Sequence, residues 1–343
     1  MENKNTKGKR FFCSVPGFLT LFAALLLSAL CALRFGSAHL SWAEFFGALF
    51  FEQGAETDSL ILYSVRLPRI LAGVLAGVGL SVSGVLLQGV TDNALASPNV
   101  IGVNAGAGFG VMLTLAVLPA GLGALRFSLL PVFAFAGAFL TTLTVVLLSR
   151  RTGAGRSAIV LSGVAMSALL NALISGMTLL DPDILSSYNA FSIGGFRGVQ
   201  YGELILPTLM ILICFLVSLV LSNGIDLLSL GGRAASVLGV PVGALRTVCI
   251  LCASASAAAV VSFAGLLGFV GLIVPHMARR LVGNKTSYLL LTSALLGATV
   301  TVLADLFGRV LLAPTEIPVG ITMALLGAPF FIFLLFQERG GDL

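Results

Sequence analysis

The chain has 343 residues, a mean hydropathy of +1.08, 58% hydrophobic residues and only 10% charged residues. A soluble domain carries about 25% charged residues, so this composition excludes one and leaves a chain whose apolar surface lipid must solvate. The 19 basic and 14 acidic side chains give a formal net charge of +5, and the cost of a charge at a bilayer centre places them between apolar runs.

Residues 1–15 form a basic tail with Lys4, Lys7, Lys9 and Arg10. Such a start resembles a secretory signal, but the run from Pro16 to Leu33 approaches spanning length and no small-x-small cleavage site follows it. A retained first helix with a cytoplasmic start is therefore expected. Ten apolar stretches occur, at 16–35, 66–89, 97–119, 127–149, 157–180, 203–222, 244–264, 266–282, 287–306 and 317–336. Each is near the roughly 20 residues that cross hydrocarbon. Strand-like alternation is missing, and a helix satisfies its own backbone hydrogen bonds. The prediction is an all-α polytopic membrane protein of about ten transmembrane helices.

Ten crossings place both termini in the cytoplasm, the second as a short tail over 337–343, with the protein in the inner (cytoplasmic) membrane. Arg34, Arg66, Arg69, Arg126, Arg197 and Arg309 then lie outside and the other thirteen basic residues inside, which fits the positive-inside rule. The positive charge is thus topological, and no nucleic-acid partner is implied. In the segment from His39 to Tyr63, Trp42, Phe45, Phe46 and Leu49 recur at helical spacing and predict an interfacial helix. A second external segment, Asp181 to Glu203, carries Tyr188, Phe191, Phe196 and Tyr201, which suit a pathway mouth or an aromatic belt equally well. Gly73 and Gly77, Gly102 and Gly106, and Gly106 and Gly110 have the spacing that lets helix backbones approach closely. Residues 16–336 read as one membrane domain.

Enzymatic chemistry is not apparent. Cys13, Cys31, Cys214, Cys249 and Cys252 are scattered and odd in number, so they read as apolar packers, and the CxxC of Cys249 and Cys252 lacks a second pair. Gly283-Asn284-Lys285-Thr286 lacks the glycine lead-in of a phosphate loop. His39 and His276 have no partners spaced for zinc or a catalytic triad. No catalytic residue, metal or cofactor is assigned to this chain. Asp92, Asp305 and Glu316 map to helix ends, which leaves an ion-coupled carrier without its buried carboxylate. A pore energised by another subunit remains.

Four motifs give that pore a family. Arg66-Leu67-Pro68-Arg69 leads into GVLAGVGLSVSGVLLQ, ending at Gln88, then Asn93-Ala94-Leu95-Ala96-Ser97-Pro98 and IGVNAGAGFG. Arg233-Ala234-Ala235-Ser236-Val237-Leu238-Gly239-Val240 precedes Arg246. GLLGFVGLIVPHMARRLVG contains Pro275, His276, Arg279 and Arg280. Asp305 and Arg309 are followed by Glu316-Ile317-Pro318-Val319-Gly320 and LLGAPFFIFLL. Over nearly the whole chain this pattern resembles the permease (FecCD-type) family of ABC importers for iron-siderophores, haem and cobalamin. One turn departs from it, since the family's Arg-Asn-Pro-Leu-Ala stands here as Asp92-Asn93-Ala94-Leu95-Ala96.

The resemblance implies a type II ABC importer permease that pairs with a second copy of itself, two ATPase subunits in which ATP and magnesium act, and an external substrate-binding protein. It implies docking of that protein by Arg66, Arg69 and Arg309, and ATPase coupling through about 225–245, centred on Arg233 to Val240. Gln88, Asn93, Pro98, Pro275, His276, Arg279, Glu316, Pro318 and Gly320 are family motif positions. An iron-siderophore is the expected substrate, with haem or cobalamin as alternatives. An ion-coupled carrier or a membrane-embedded enzyme would be the readings from other classes.

Overall fold

The computed structural model describes residues 12–37, 41–50, 56–118, 120–152 and 155–339. Lys4, Lys7, Lys9, Arg10 and His39, with the last four residues, lie outside the described residues. Every regular element described is helical. Helix α1 (Val15–Arg34) begins on Pro16, whose missing N–H costs nothing in a first turn. The helix expected between His39 and Tyr63 is α2 (Trp42–Leu49). The Ser41 hydroxyl accepts the Glu44 N–H and the Glu44 carboxylate accepts the Ser41 N–H, a capping box that fixes its start. Phe45 is buried while Trp42 and Phe46 face outward.

One helical run of 36 residues, Glu56–Thr91, forms the centre of the molecule. It comprises α3 (Glu56–Leu60), a π-helical turn (Ile61–Arg66) and α4 (Leu67–Thr91). Pro68 explains the wide turn: it has no N–H, and its ring crowds the carbonyl four residues back, so Leu67 N–H reaches instead to the Leu62 carbonyl. Around α4 stand α9 (Tyr201–Leu228), α11 (Val242–Ala264), α12 (Val270–Val282) and α13 (Thr286–Leu311). Small residues make this possible. A Cβ on Gly77 would lie 2.2 Å from the Gly297 carbonyl oxygen of α13, and one on Gly84 would lie 1.9 Å from that of Gly271 in α12. The central run is 78% buried over its most apolar window, against 22% for α1.

A second layer contains α5 (Val103–Val117), α6 (Gly123–Thr152), α7 (Gly155–Leu180) and α8 (Asp183–Ile193). Gly106 of α5 meets the backbone of Gly137 in α6, and Gly110 meets that of Phe133, as their spacing predicts. Gly102 instead starts α5 in a left-handed conformation with φ +86°. The short α10 (Gly232–Val237) joins α9 to α11, and α14 (Val319–Arg339) closes the chain.

Each of the ten apolar stretches contains a helix, but among the described residues seven helices have the length and composition to cross a membrane. Helix α5 and Val319–Ile332 are shorter apolar segments, and α12 has 13 residues. The stretch at 97–119 yields a helix only from Val103. Before it, the Val100 N–H bonds to the Ser97 carbonyl and the Gly102 N–H to that of Asn99, so turns replace helix. The divergent turn after α4 closes on its own bonds. Asp92 adopts the left-handed conformation at φ 52°, and Asn93 Oδ1 accepts the Leu95 N–H at 2.9 Å.

Candidate functional site

At one end of α13, five charged groups from four parts of the chain form a clamp. Arg69 Nε and Nη2 hold Asp305 in a forked contact of 2.9–3.1 Å, and Nη1 donates to Glu316 Oε2 at 2.7 Å. Ser37 donates to the other Glu316 oxygen at 2.6 Å. Arg309 Nε approaches Asp305 Oδ2 at 3.0 Å as an ion pair one helical turn along α13. Three guanidiniums against two carboxylates leave positive charge over, and the end of α1 receives it. Arg66 donates to the carbonyls of Leu33 and Arg34 at 2.6 and 2.8 Å, and Arg309 to that of Ala32 at 3.2 Å. These carbonyls have no partners within their own helix and carry the negative end of its dipole.

Arg66, Arg69 and Arg309, the residues expected to dock a binding protein, are buried within the clamp. Their exposures are 4%, 6% and 2%. Asp305 is not a helix-end group, being buried within α13 and matched by two arginines. The fixed i,i+4 spacing of Asp305 and Arg309 was the available sequence signal for such a pair. A cavity of ≈ 350 Å³ opens beside the clamp, walled by Arg69, Phe196, Arg197, Glu316 and Pro318. Arg197 is the exposed cation there, whereas Phe196 is buried. Gly320 seals the base of this end, its N–H donating to the Gly194 carbonyl at 3.2 Å.

A second knot gathers Gln88, Pro98 and Pro275 around Gly271. Proline in the middle of a helix removes the donor for the carbonyl four residues back, here Gly271. Helix α12 nevertheless continues through Pro275 to Val282. Gln88 Nε2 from α4 supplies donors at 3.4 Å to the Gly271 and Leu272 carbonyls, and Gly84 gives α12 room to come that close. Pro98 packs against the same glycine. His276 lies edge-on to Phe330, and α12 ends with Arg279 and Arg280 in its last turn.

The third feature is α10. Its backbone is helical over Gly232–Val237 and turns at Gly239, where φ is +84°, close to the expected bounds. Ala235 is buried, while Arg233, Ala234, Ser236, Val237 and Leu238 face outward, Val237 at 87% exposure. An exposed apolar edge on so short a helix suits a protein contact.

A helical bundle with several helices long and apolar enough to cross a membrane defines a multi-pass membrane protein. The FecCD transport family matches residues 24–337, and the chain belongs to it. It is 35% identical to the Fe(3+)-citrate import system permease protein YfmE of Bacillus subtilis, covering 99% of each chain. Similarity also extends to the iron(3+)-hydroxamate import system permease protein FhuG of B. subtilis, at 37% identity over 85% of this chain and 88% of that one. The hemin transport system permease protein HmuU of Yersinia pestis is 33% identical, over 94% and 95%. A solved metal-chelate-type ABC transporter in an inward-facing conformation superposes with a TM-score of 0.80 at 32% identity, covering 93% of this chain and 98% of that chain.

Proposed function

We propose that this permease is one of two identical membrane subunits of an ATP-driven importer, and that it carries a ferric siderophore or ferric citrate through the cytoplasmic membrane. ATP and magnesium act in two separate ATPase subunits, and an external binding protein delivers the substrate. Relatives named for iron-citrate and iron-hydroxamate import support that substrate class. Haem is the second reading, favoured by the hemin permease among them.

The observation that carries this reading is the exposure of α7, which packs little of its surface inside the chain. Leu161, Leu169 and Leu173 are exposed along it, and so is Asn171 near the middle of this 26-residue helix. Lipid penalises exposed polar groups at that depth, whereas a second copy across a wet pathway satisfies them. In this reading the chain crosses ten times with both termini cytoplasmic, the clamp lies outside and α10 meets the ATPase. The binding protein docks on the surface around Arg197, which Arg66, Arg69 and Arg309 hold in shape from beneath.

Uptake of ferric citrate, a ferric hydroxamate and haem into proteoliposomes containing this chain, its ATPase and its binding protein tests the proposal. ATP-dependent entry of an iron chelate is the expected result. A stable, ATP-hydrolysing complex that admits none of them refutes the substrate class, and a chain that binds no ATPase refutes the importer reading.

A further inference from the structure

Asp226 occupies the last turn of α9, immediately before the segment that leads into α10. Its backbone carbonyl accepts the Ser229 N–H at 3.3 Å and the Ser229 hydroxyl at 2.6 Å, which sets the turn out of α9. Its carboxylate serves a different helix. Asp226 Oδ1 accepts the Thr286 backbone N–H at 2.9 Å and the Thr286 hydroxyl as well.

Thr286 is the first residue of α13, and the residue before it, Lys285, makes no side-chain cap. The first N–H groups of a helix lack internal acceptors, and a carboxylate there also meets the positive end of the dipole. Asp226 therefore caps α13 from 60 residues away in sequence. Thr286 is buried, so water is a poor substitute for the lost acceptor. From this cap α13 runs about 29 Å, at 1.5 Å per residue, to Asp305 and one further turn to Arg309 in the clamp. Its glycine contact with α4 leaves no slack for bending midway: a Cβ on Gly297 would lie 2.0 Å from Ser81 Oγ and 2.4 Å from the Gly77 carbonyl oxygen.

We infer that Asp226 is the positioning residue that joins the α10 segment to α13, so that displacement of α10 is passed along α13 to the clamp at its far end. The inference rests on the importer reading, in which α10 is the part moved by the ATPase. One residue holds both sides of the joint, with its backbone on the α10 turn and its side chain on α13. A carboxylate that only stabilised a loop would not need to reach the start of the helix that ends in the clamp.

The test uses the full complex in proteoliposomes, with ferric citrate and a ferric hydroxamate as probes, and reads substrate imported per ATP hydrolysed. Asp226→Ala should lower that ratio several-fold, because ATP turnover is no longer transmitted. Asp226→Asn keeps an oxygen acceptor for both Thr286 donors and should restore the ratio. Thr286→Val removes the hydroxyl alone and should give a smaller loss, and adding it to Asp226→Ala should cost nothing further. A purely structural role predicts that transport and ATP hydrolysis fall together with the melting temperature, leaving the ratio unchanged, and that outcome overturns the inference. So does an Asn variant as uncoupled as the Ala variant. A wild-type chain that never assembles with an ATPase overturns the importer reading and this inference together.

Discussion

Arg69 is the residue on which most interactions of the clamp converge, since its three guanidinium nitrogens are divided between Asp305 and Glu316. Removing one partner of a buried pair leaves an uncompensated charge, at a cost of about 3–5 kcal/mol. Arg69→Ala should lower thermal stability by that order in detergent. Arg69→Lys should recover only part of it, because a single ammonium cannot fork across both carboxylates. Glu316 adds a pH dependence. Burial pushes its carboxyl up, but hydrogen bonds from Ser37 and Arg69 and the Arg69 charge outweigh that and hold it below the ordinary carboxylate range. A depressed folded value means that the stabilisation is complete at neutral pH and disappears as pH falls through that value. Melting temperature should therefore drop on acidification below about pH 4, and Glu316→Gln should flatten that acid limb. The sequence displayed every member of this clamp without revealing the clamp itself. Nothing read in line connects Arg69 with Asp305, 236 positions away, until folding brings the two together.

Among the helices, the contacts that matter most are those made without side chains. Gly84→Ala would drive a Cβ to 1.9 Å from the Gly271 carbonyl oxygen, so α12 must move and the Gln88 donors lose their targets. That variant should insert poorly and melt early. Gly176→Ala in α7, where a Cβ meets nothing within 4 Å, should be neutral or stabilising by about 0.5–1 kcal/mol, as expected for removing glycine from a helix interior. Gln88→Leu leaves the Gly271 carbonyl without a donor and should cost about 1–3 kcal/mol, measurable in the same melting series. The positions of the membrane helices were readable from hydropathy. One local expectation failed: the stretch from 97 yields a helix only from Val103. That start, like the passage of α12 through Pro275, is set by partners on other segments, and local propensity contains no information about them.

For the molecule as a whole, the exposure of α7 is where the importer reading makes its sharpest demand. Asn171→Leu should reduce uptake several-fold while leaving the amount of inserted, ATPase-bound protein unchanged, as measured by quantitative purification of the complex alongside transport. The sequence by itself determined that the chain lives in a membrane, that it is helical, and which family it resembles, because hydropathy, segment length and motif order are properties of the chain read in line. Only the tertiary structure decided that three arginines are internal struts, that Gln88 repairs the helix opened by Pro275, and that Asp226 caps a helix 60 residues downstream. Each of these depends on which donors and acceptors meet when helices pack with glycine-to-backbone contact, and that pairing is a matter of distance in space.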